Sequence, residues 1–196
     1  DLSKPERLAS CGRPAPWVHL ALLDDDNRPV PPGQPGELCV RAPLVMKGYH
    51  KLPEQTTEAF AGGWLHTGDI ARFDSEGFLY IIDRKKDMVV TGGFNVFPRE
   101  VEDVISAHPA VAQVAVIGVP DERWGEAVKA LVVLKPGVAE SESLRDELIA
   151  RVKEAKGSVQ APKSLDFVGG IPLTPIGKPD KKALRATYWA GAARRV

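Results

Sequence analysis

No stretch of this 196-residue chain approaches the roughly 18 consecutive apolar residues of a membrane-spanning helix. No transmembrane segment is therefore expected; a cytoplasmic location is expected from the cysteine usage. Charge of one sign is lacking too: Lys plus Arg and Asp plus Glu are both 26, for a net charge of zero. The broad basic surface that nucleic acid or an anionic membrane would require is missing. Cysteine is scarce, at two residues, and histidine is present only four times. Cys11 and Cys39 form no Cys-x-x-Cys pair, so no zinc-ligand spacing arises. Two isolated cysteines suit a reducing compartment, where they serve as small buried hydrophobes. The opening "DLSKPERLAS" has neither an initiator Met nor a signal-peptide pattern, and reads as the trimmed end of something longer.

What is present is ordinary for a folded protein: 43% hydrophobic and 27% charged residues, enough for a sizeable core. "WVHLALLD" (17–24) and "GELCVRA" (36–42) read as strands around a turn-rich "DDNRPVPPGQPG". "PEQTTEAF" (53–60) suits a short helix opened by proline. "WLHTGDIARFD" and "GFLYIID" flank "SEG" as a hairpin with Gly77 in the turn. The first 83 residues are thus mostly β and short of helices to cover them. After "DRKK" the character changes. "DMVVTGG" reads as a strand, and a helix follows from Pro98 to before Pro109, with Val101, Val104 and Ile105 on one face. "VAQVAVIGVP" and "EAVKALVVL" are apolar strands joined by "DERWG". "SESLRDELIARVKEAKG" is an amphipathic helix striped by Leu144, Leu148, Ile149 and Val152 and stopped by Gly157. "SLDFV" and a short helix from Lys181 complete an α+β second half. The boundary is expected at residues 84–87, between a β-rich part (1–83) and a domain over 88–196.

Four motifs do not serve packing. "TGD" (67–69) has the composition of a turn, "DRKK" (83–86) of a solvated linker, and "TGGFN" (91–95) of a bulge or turn. Lys178, in the Pro/Gly-rich "PLTPIGKPDKKALR", reads alone as a solvated surface lysine.

Taken together they resemble the motifs of the adenylate-forming enzymes: acyl- and aryl-CoA synthetases, beetle luciferase and peptide-synthetase adenylation domains. "GELCVRAPLVMKGYHKLPEQT" is similar to that family's barrel motif and "GWLHTGD" to its ribose-binding motif. "YIIDRKKDMVVTGGFNVFPREVE" resembles its hinge motif and "PLTPIGKPDKKALR" its C-terminal lysine motif. "DRKKD", "GGFNVFPREVE" and "GVPDERWGE" most resemble the fatty-acyl-CoA synthetase branch.

The resemblance implies an α+β architecture, in which the β-rich end of a distorted-barrel subdomain precedes a small mobile C-terminal lid. It implies a ligase that activates a carboxylic acid with ATP and Mg2+ to an acyl-adenylate and passes the acyl group to CoA. By resemblance Asp69 accepts hydrogen bonds from the ribose hydroxyls, Arg84 reaches the ribose, Lys178 serves adenylation, and Lys86 is the hinge. Gly92 and Gly93 would let the backbone approach pantetheine. Relatives often place Lys or Arg before that glycine, whereas Thr91 stands here, so only backbone contact carries over. The phosphate loop, the adenine site, the metal ligand and the acyl pocket belong to a large N-terminal domain upstream of this sequence. The chain alone is expected to be inactive. Two alternatives remain open: transfer to a carrier protein, or a non-catalytic module that only docks on a large domain.

Overall fold

Alternation of apolar residues drives the first sheet. The computed structural model describes residues 4–190; the last six residues of the expected 88–196 domain lie outside them. Strands β1 (His19–Leu23), β2 (Gly36–Arg41), β3 (Leu65–Phe73) and β4 (Leu79–Arg84) lie antiparallel in chain order. They form an open sheet, not a closed barrel. Leu22, Leu38, Ala71 and Leu79 share one buried face with Leu20, Val40, Phe73 and Ile81 beside them. On β2 the intervening residues Glu37 and Cys39 point the other way, yet both are also buried. Gly77, at φ +81°, turns β3 into β4, and Asp74 Oδ1 accepts from the Glu76 and Phe78 N–H groups across that turn. Helix α1 (Pro53–Ala59) has Pro53 in its first turn, where the missing N–H is harmless.

The chain divides into two compact units, one ending at Lys85 and the other starting at Lys86. The second is a mixed α+β fold. The segment expected as one strand over 87–93 is a hairpin: β5 (Val89–Thr91) and β6 (Phe94–Val96) turn at Gly92 and Gly93. Helix α2 (Pro98–Ser106), strands β7 (Val111–Asp121) and β8 (Gly125–Leu134), helix α3 (Glu142–Lys156), strand β9 (Ser164–Phe167) and helix α4 (Lys181–Ala186) follow. The sheet is five-stranded; β7 is antiparallel to β8 and β9 parallel to it. Val101 and Ile105 of α2 and Leu148 and Val152 of α3 are fully buried against Val116, Val128 and Val132. Each such side chain contributes about 1.5–3 kcal/mol, so this unit carries its own core. Val104, Leu144 and Ile149 sit at the margin of that core. Ser141 caps α3 by accepting from the Leu144 N–H at 3.1 Å, and Gly157 ends it at φ +88°. Among the described residues no helix is long and apolar enough to cross a membrane.

Candidate functional site

The "TGD" motif lies in a strand. Cys39 pairs with His66 and Glu37 with Ile70. Between those pairs β2 has only Leu38, whereas β3 has Thr67, Gly68 and Asp69. The motif is therefore a β-bulge, which re-aims side chains at the cost of ladder bonds. Gly68 takes φ +71°, where an L side chain would cost about 1–2 kcal/mol. The freed groups find partners nearby. Thr67 Oγ1 donates to the Leu38 carbonyl at 2.8 Å and accepts from the Asp69 N–H at 3.1 Å. The Gly68 N–H donates to Glu37 Oε1 at 3.1 Å. Asp69 is thereby held half-buried, with Arg84 Nε 3.0 Å from its Oδ1. Asp69 and Arg84 are cross-strand partners on β3 and β4.

Glu37 is the centre of this arrangement. Its Oε2 lies 3.0 Å from Lys85 Nζ and 3.0 Å from His66 Nδ1, and Lys85 also reaches Asp25 at 2.7 Å. His66 Nε2 faces the Ala61 carbonyl at 3.2 Å. Burial pushes the Glu37 carboxyl upward, but hydrogen bonds from His66 and Lys85 outweigh it and hold the group below the usual carboxylate range. Burial lowers Lys85 likewise, and its hydrogen bonds to Asp25 and Glu37 outweigh that to raise it. Burial and then the Glu37 charge push the Cys39 thiol up to about 12. Donor atoms of Glu37, Cys39 and His66 converge within 4.8 Å. They do not fit Mg2+, which takes hard oxygen ligands, because both Glu37 oxygens are engaged and the other donors are a protonated thiol and an imidazole. A pocket of about 450 Å3 opens beside Gly68, between β3 and α1, with Tyr49, Gln55 and Glu58 in its wall.

In the second unit Lys178 stands at the end of a tight turn. Thr174 N–H donates to the Lys178 carbonyl at 2.7 Å, Gly177 N–H to the Thr174 carbonyl at 2.8 Å, and Lys178 N–H to Thr174 Oγ1 at 3.2 Å. Gly177 is at φ +77°. The Lys178 backbone is thus fixed while its side chain is exposed. Helix α4 anchors the far side of the turn. Asp180 caps it through the Ala183 N–H, Lys181 pairs with Glu102 at 2.7 Å, and Arg185 pairs with Asp87 at 2.8 Å. Beyond the helix, Trp189 Nε1 donates to the Gly118 carbonyl at 3.0 Å.

Gly92 (φ +56°) and Gly93 (φ +83°) form the β5–β6 turn. Gly92 N–H donates to the Trp124 carbonyl at 2.9 Å, and a Cβ at Gly92 would sit 2.6 Å from the Trp124 ring. Beside them a pocket of about 230 Å3 is walled by Thr91, Phe94, Trp124, Ser158, Val159 and Lys163. Lys178 is not among its lining residues.

Residues 1–50 match the model of the AMP-binding enzymes, and residues 100–178 the model of the AMP-binding enzyme C-terminal domain. The chain belongs to the AMP-binding enzymes. It is 58% identical over 195 residues to the medium/long-chain-fatty-acid–CoA ligase FadD8 of Mycobacterium tuberculosis, covering 97% of this chain and 34% of that protein. It is 40% identical to the fatty acid–[acyl-carrier-protein] ligase ScoC of Streptomyces coeruleorubidus, covering 96% and 36%. Among solved structures, the amide bond synthetase McbA from Marinactinospora thermotolerans is 41% identical, with a TM-score of 0.83 over 95% of this chain and 38% of that one. The chain spans about a third of the length of the curated relatives it matches.

Of the residues singled out in the sequence, Asp69 and Arg84 are joined directly, and Lys178, Gly92 and Gly93 all lie in the second unit. Sequence reasoning missed Glu37, His66, Trp124 and the Asp87–Arg185 pair. An acid inside the apolar strand "GELCV" was a readable signal for Glu37. Nothing local marks Asp87 and Arg185, whose pairing depends on the folded second unit.

Proposed function

We propose that this chain is the C-terminal part of an ATP-dependent, AMP-forming acyl-CoA synthetase acting on fatty acids. Lys178 carries the proposal: a fixed backbone presents an exposed ammonium with no side-chain partner among the described residues. Such a cation suits a reaction that brings two anions together. In the first step a carboxylate oxygen attacks the α-phosphorus of ATP. The new bond joins acyl carboxylate to AMP, the Pα–O bond to the β-phosphate breaks, and pyrophosphate leaves. Lys178 bridges the carboxylate and the α-phosphate and balances the charge that builds up there. The Asp69 carboxylate accepts from the ribose hydroxyls, with Arg84 beside it to fix the nucleotide. Magnesium bound with ATP supplies charge neutralisation at the phosphates, through ligands outside this chain.

In the second step the CoA sulfur attacks the acyl carbon, the bond to AMP breaks, and the thiol proton leaves to solvent. The pocket at Gly92 supports CoA as acceptor, since Phe94, Trp124 and Lys163 offer aromatic faces and a cation beside a backbone with no side chain. The two steps need different groups at one adenylate, so residues 86–196 would turn about Lys86 between them. The likeness to FadD8 supports a fatty acid as substrate.

A second reading has the acyl group delivered to a carrier protein, as the name of ScoC describes for that relative. The test is the polypeptide completed to the length of its relatives, given ATP, Mg2+ and fatty acids of graded length. Pyrophosphate release and thioester appearance are measured with CoA or with a phosphopantetheinylated carrier protein. Thioester on CoA alone supports the first reading and on the carrier alone the second. Absence of fatty-acid-dependent pyrophosphate release refutes both. Calorimetry of the 196-residue chain with CoA separates a ligand-binding piece from a bare docking module.

A further inference from the structure

Lys86 is exposed and stands where the two compact units meet in sequence, and the residues on either side of it are each tied to a different unit. Lys85 is held within the first unit. Its ammonium lies 2.7 Å from Asp25 and 3.0 Å from buried Glu37, whose other oxygen secures the Gly68 N–H of the bulge. Asp87 is held within the second unit by Arg185, 98 positions away, at 2.8 Å; both side chains are largely shielded from water. Arg185 belongs to α4, the helix that anchors the Lys178 turn.

We infer that Lys85 and Asp87 are positioning residues that clamp the chain on both sides of Lys86 and confine any turning of one unit against the other to that single residue. Each clamp opposes rotation of its own residue, because turning the backbone would draw Lys85 from buried Glu37, or Asp87 from shielded Arg185. Turning at Lys86 leaves both of these pairs intact. The clamps also tie each step's groups to the pivot: Glu37 connects Lys85 to the bulge that presents Asp69, and Arg185 connects Asp87 to the helix behind Lys178. The inference rests on the two-step reading above and adds residues that the motifs do not name.

The test is suppression in the completed enzyme. Lys86→Pro fixes φ at the pivot and restricts the preceding residue, so one of the two half-reactions, followed separately in single turnovers, should slow at least about a hundredfold. Arg185→Gln, added to Lys86→Pro, releases Asp87 to turn in its place, whereas Lys85→Met frees a residue that the proline ring still restricts. Arg185→Gln should restore the slowed step by about tenfold or more while the other step stays within about threefold, and Lys85→Met should restore it less. A merely structural role for the pairs would give no such recovery. Retained folding is checked by circular dichroism and by the unaffected half-reaction. An Arg185→Gln, Lys86→Pro double variant no faster than Lys86→Pro alone, or slower in both steps, overturns the clamps. So does a Lys86→Pro enzyme in which both steps run at the parent rate. If the parent enzyme makes neither adenylate nor thioester, the functional reading fails instead.

Discussion

Two adjacent glycines of the β5–β6 turn allow one substitution to serve as the control for the other. Gly92 and Gly93 both have positive φ, +56° and +83°, so alanine at either meets the same left-handed penalty of about 1–2 kcal/mol. Reduced freedom of the unfolded chain offsets that by about 0.4–1 kcal/mol. They differ in what the new methyl group meets. At Gly93 nothing lies within 4 Å, whereas at Gly92 it would fall 2.6 Å from Cε3 and 3.0 Å from Cζ3 of Trp124. Overfilling a packed site costs about 1–3 kcal/mol, and a ring 40% exposed can yield, which puts the extra cost at about 1–2 kcal/mol.

Gly93→Ala should therefore stay within about 1 kcal/mol of the parent, and Gly92→Ala should fall a further 1–2 kcal/mol or so below it. The second unit has about 110 residues, for which 1 kcal/mol corresponds to about 4 °C in Tm. Thermal unfolding of the 196-residue chain, followed by far-ultraviolet circular dichroism, should separate the two variants by about 4–8 °C. Melting temperatures within about 1 °C of each other would refute the reasoning. The contact with Trp124 would then have no energetic weight, and the need for glycine at position 92 would rest on backbone conformation alone.

Lys178→Ala in the completed enzyme should slow adenylate formation about a hundredfold or more, while thioester formation from supplied acyl-adenylate changes far less; equal losses in the two steps remove Lys178 from its role. Glu37 has a lowered pKa in the folded protein, so its contribution to stability is full above the ordinary carboxylate value near 4.3 and is lost as pH falls through its folded value. Glu37→Gln should accordingly lower Tm at neutral pH and flatten its decline in acid; parallel Tm–pH curves for parent and variant would contradict this. Ser141→Ala removes the acceptor for the Leu144 N–H and should destabilise the second unit by about 1 kcal/mol in urea unfolding, with an unchanged m-value.

How legible each part was depended on whether its cause is local. The stripe Leu144, Leu148, Ile149 and Val152 and the cap Ser141 are written within one helix, and α3 forms where that pattern stands. The hairpin at Gly77 follows from a turn signal between two apolar runs. "TGD" was readable as an irregularity but not as a bulge, because the count of one residue against three exists only once β2 and β3 are paired. The β5–β6 hairpin was read as a single strand for a similar reason. Three-residue strands carry too little alternation to announce themselves, and the exposed Phe94 and Asn95 hide the return strand. Asp69 and Arg84 were singled out through their motifs, yet their direct pairing is a matter of register. The supporting charges, Asp25 to Lys85 and Asp87 to Arg185, link positions far apart in sequence and could not be read from either end.

The choice of a carboxylate at position 37 is not explained by stability. Glu37 and Cys39 occupy a buried face of β2 where two aliphatic side chains would pack without desolvating a charge. A buried ion pair commonly does no better than apolar residues of the same volume, since the loss of hydration offsets the attraction. What a carboxylate supplies, and a leucine cannot, is two acceptors with fixed directions. One holds the Gly68 amide and so fixes the bulge that aims Asp69. The other holds Lys85, the last residue of the first unit. An aliphatic residue here would leave the Gly68 N–H without its acceptor and would leave Lys85 with Asp25 alone, an aspartate whose side chain is 86% exposed. Water would screen that remaining pair, and the end of the first unit would no longer be tied to the bulge. Glu37 thus gains little over an aliphatic residue in stability and contributes alignment instead, which is of use to a site whose parts lie on separate pieces of chain.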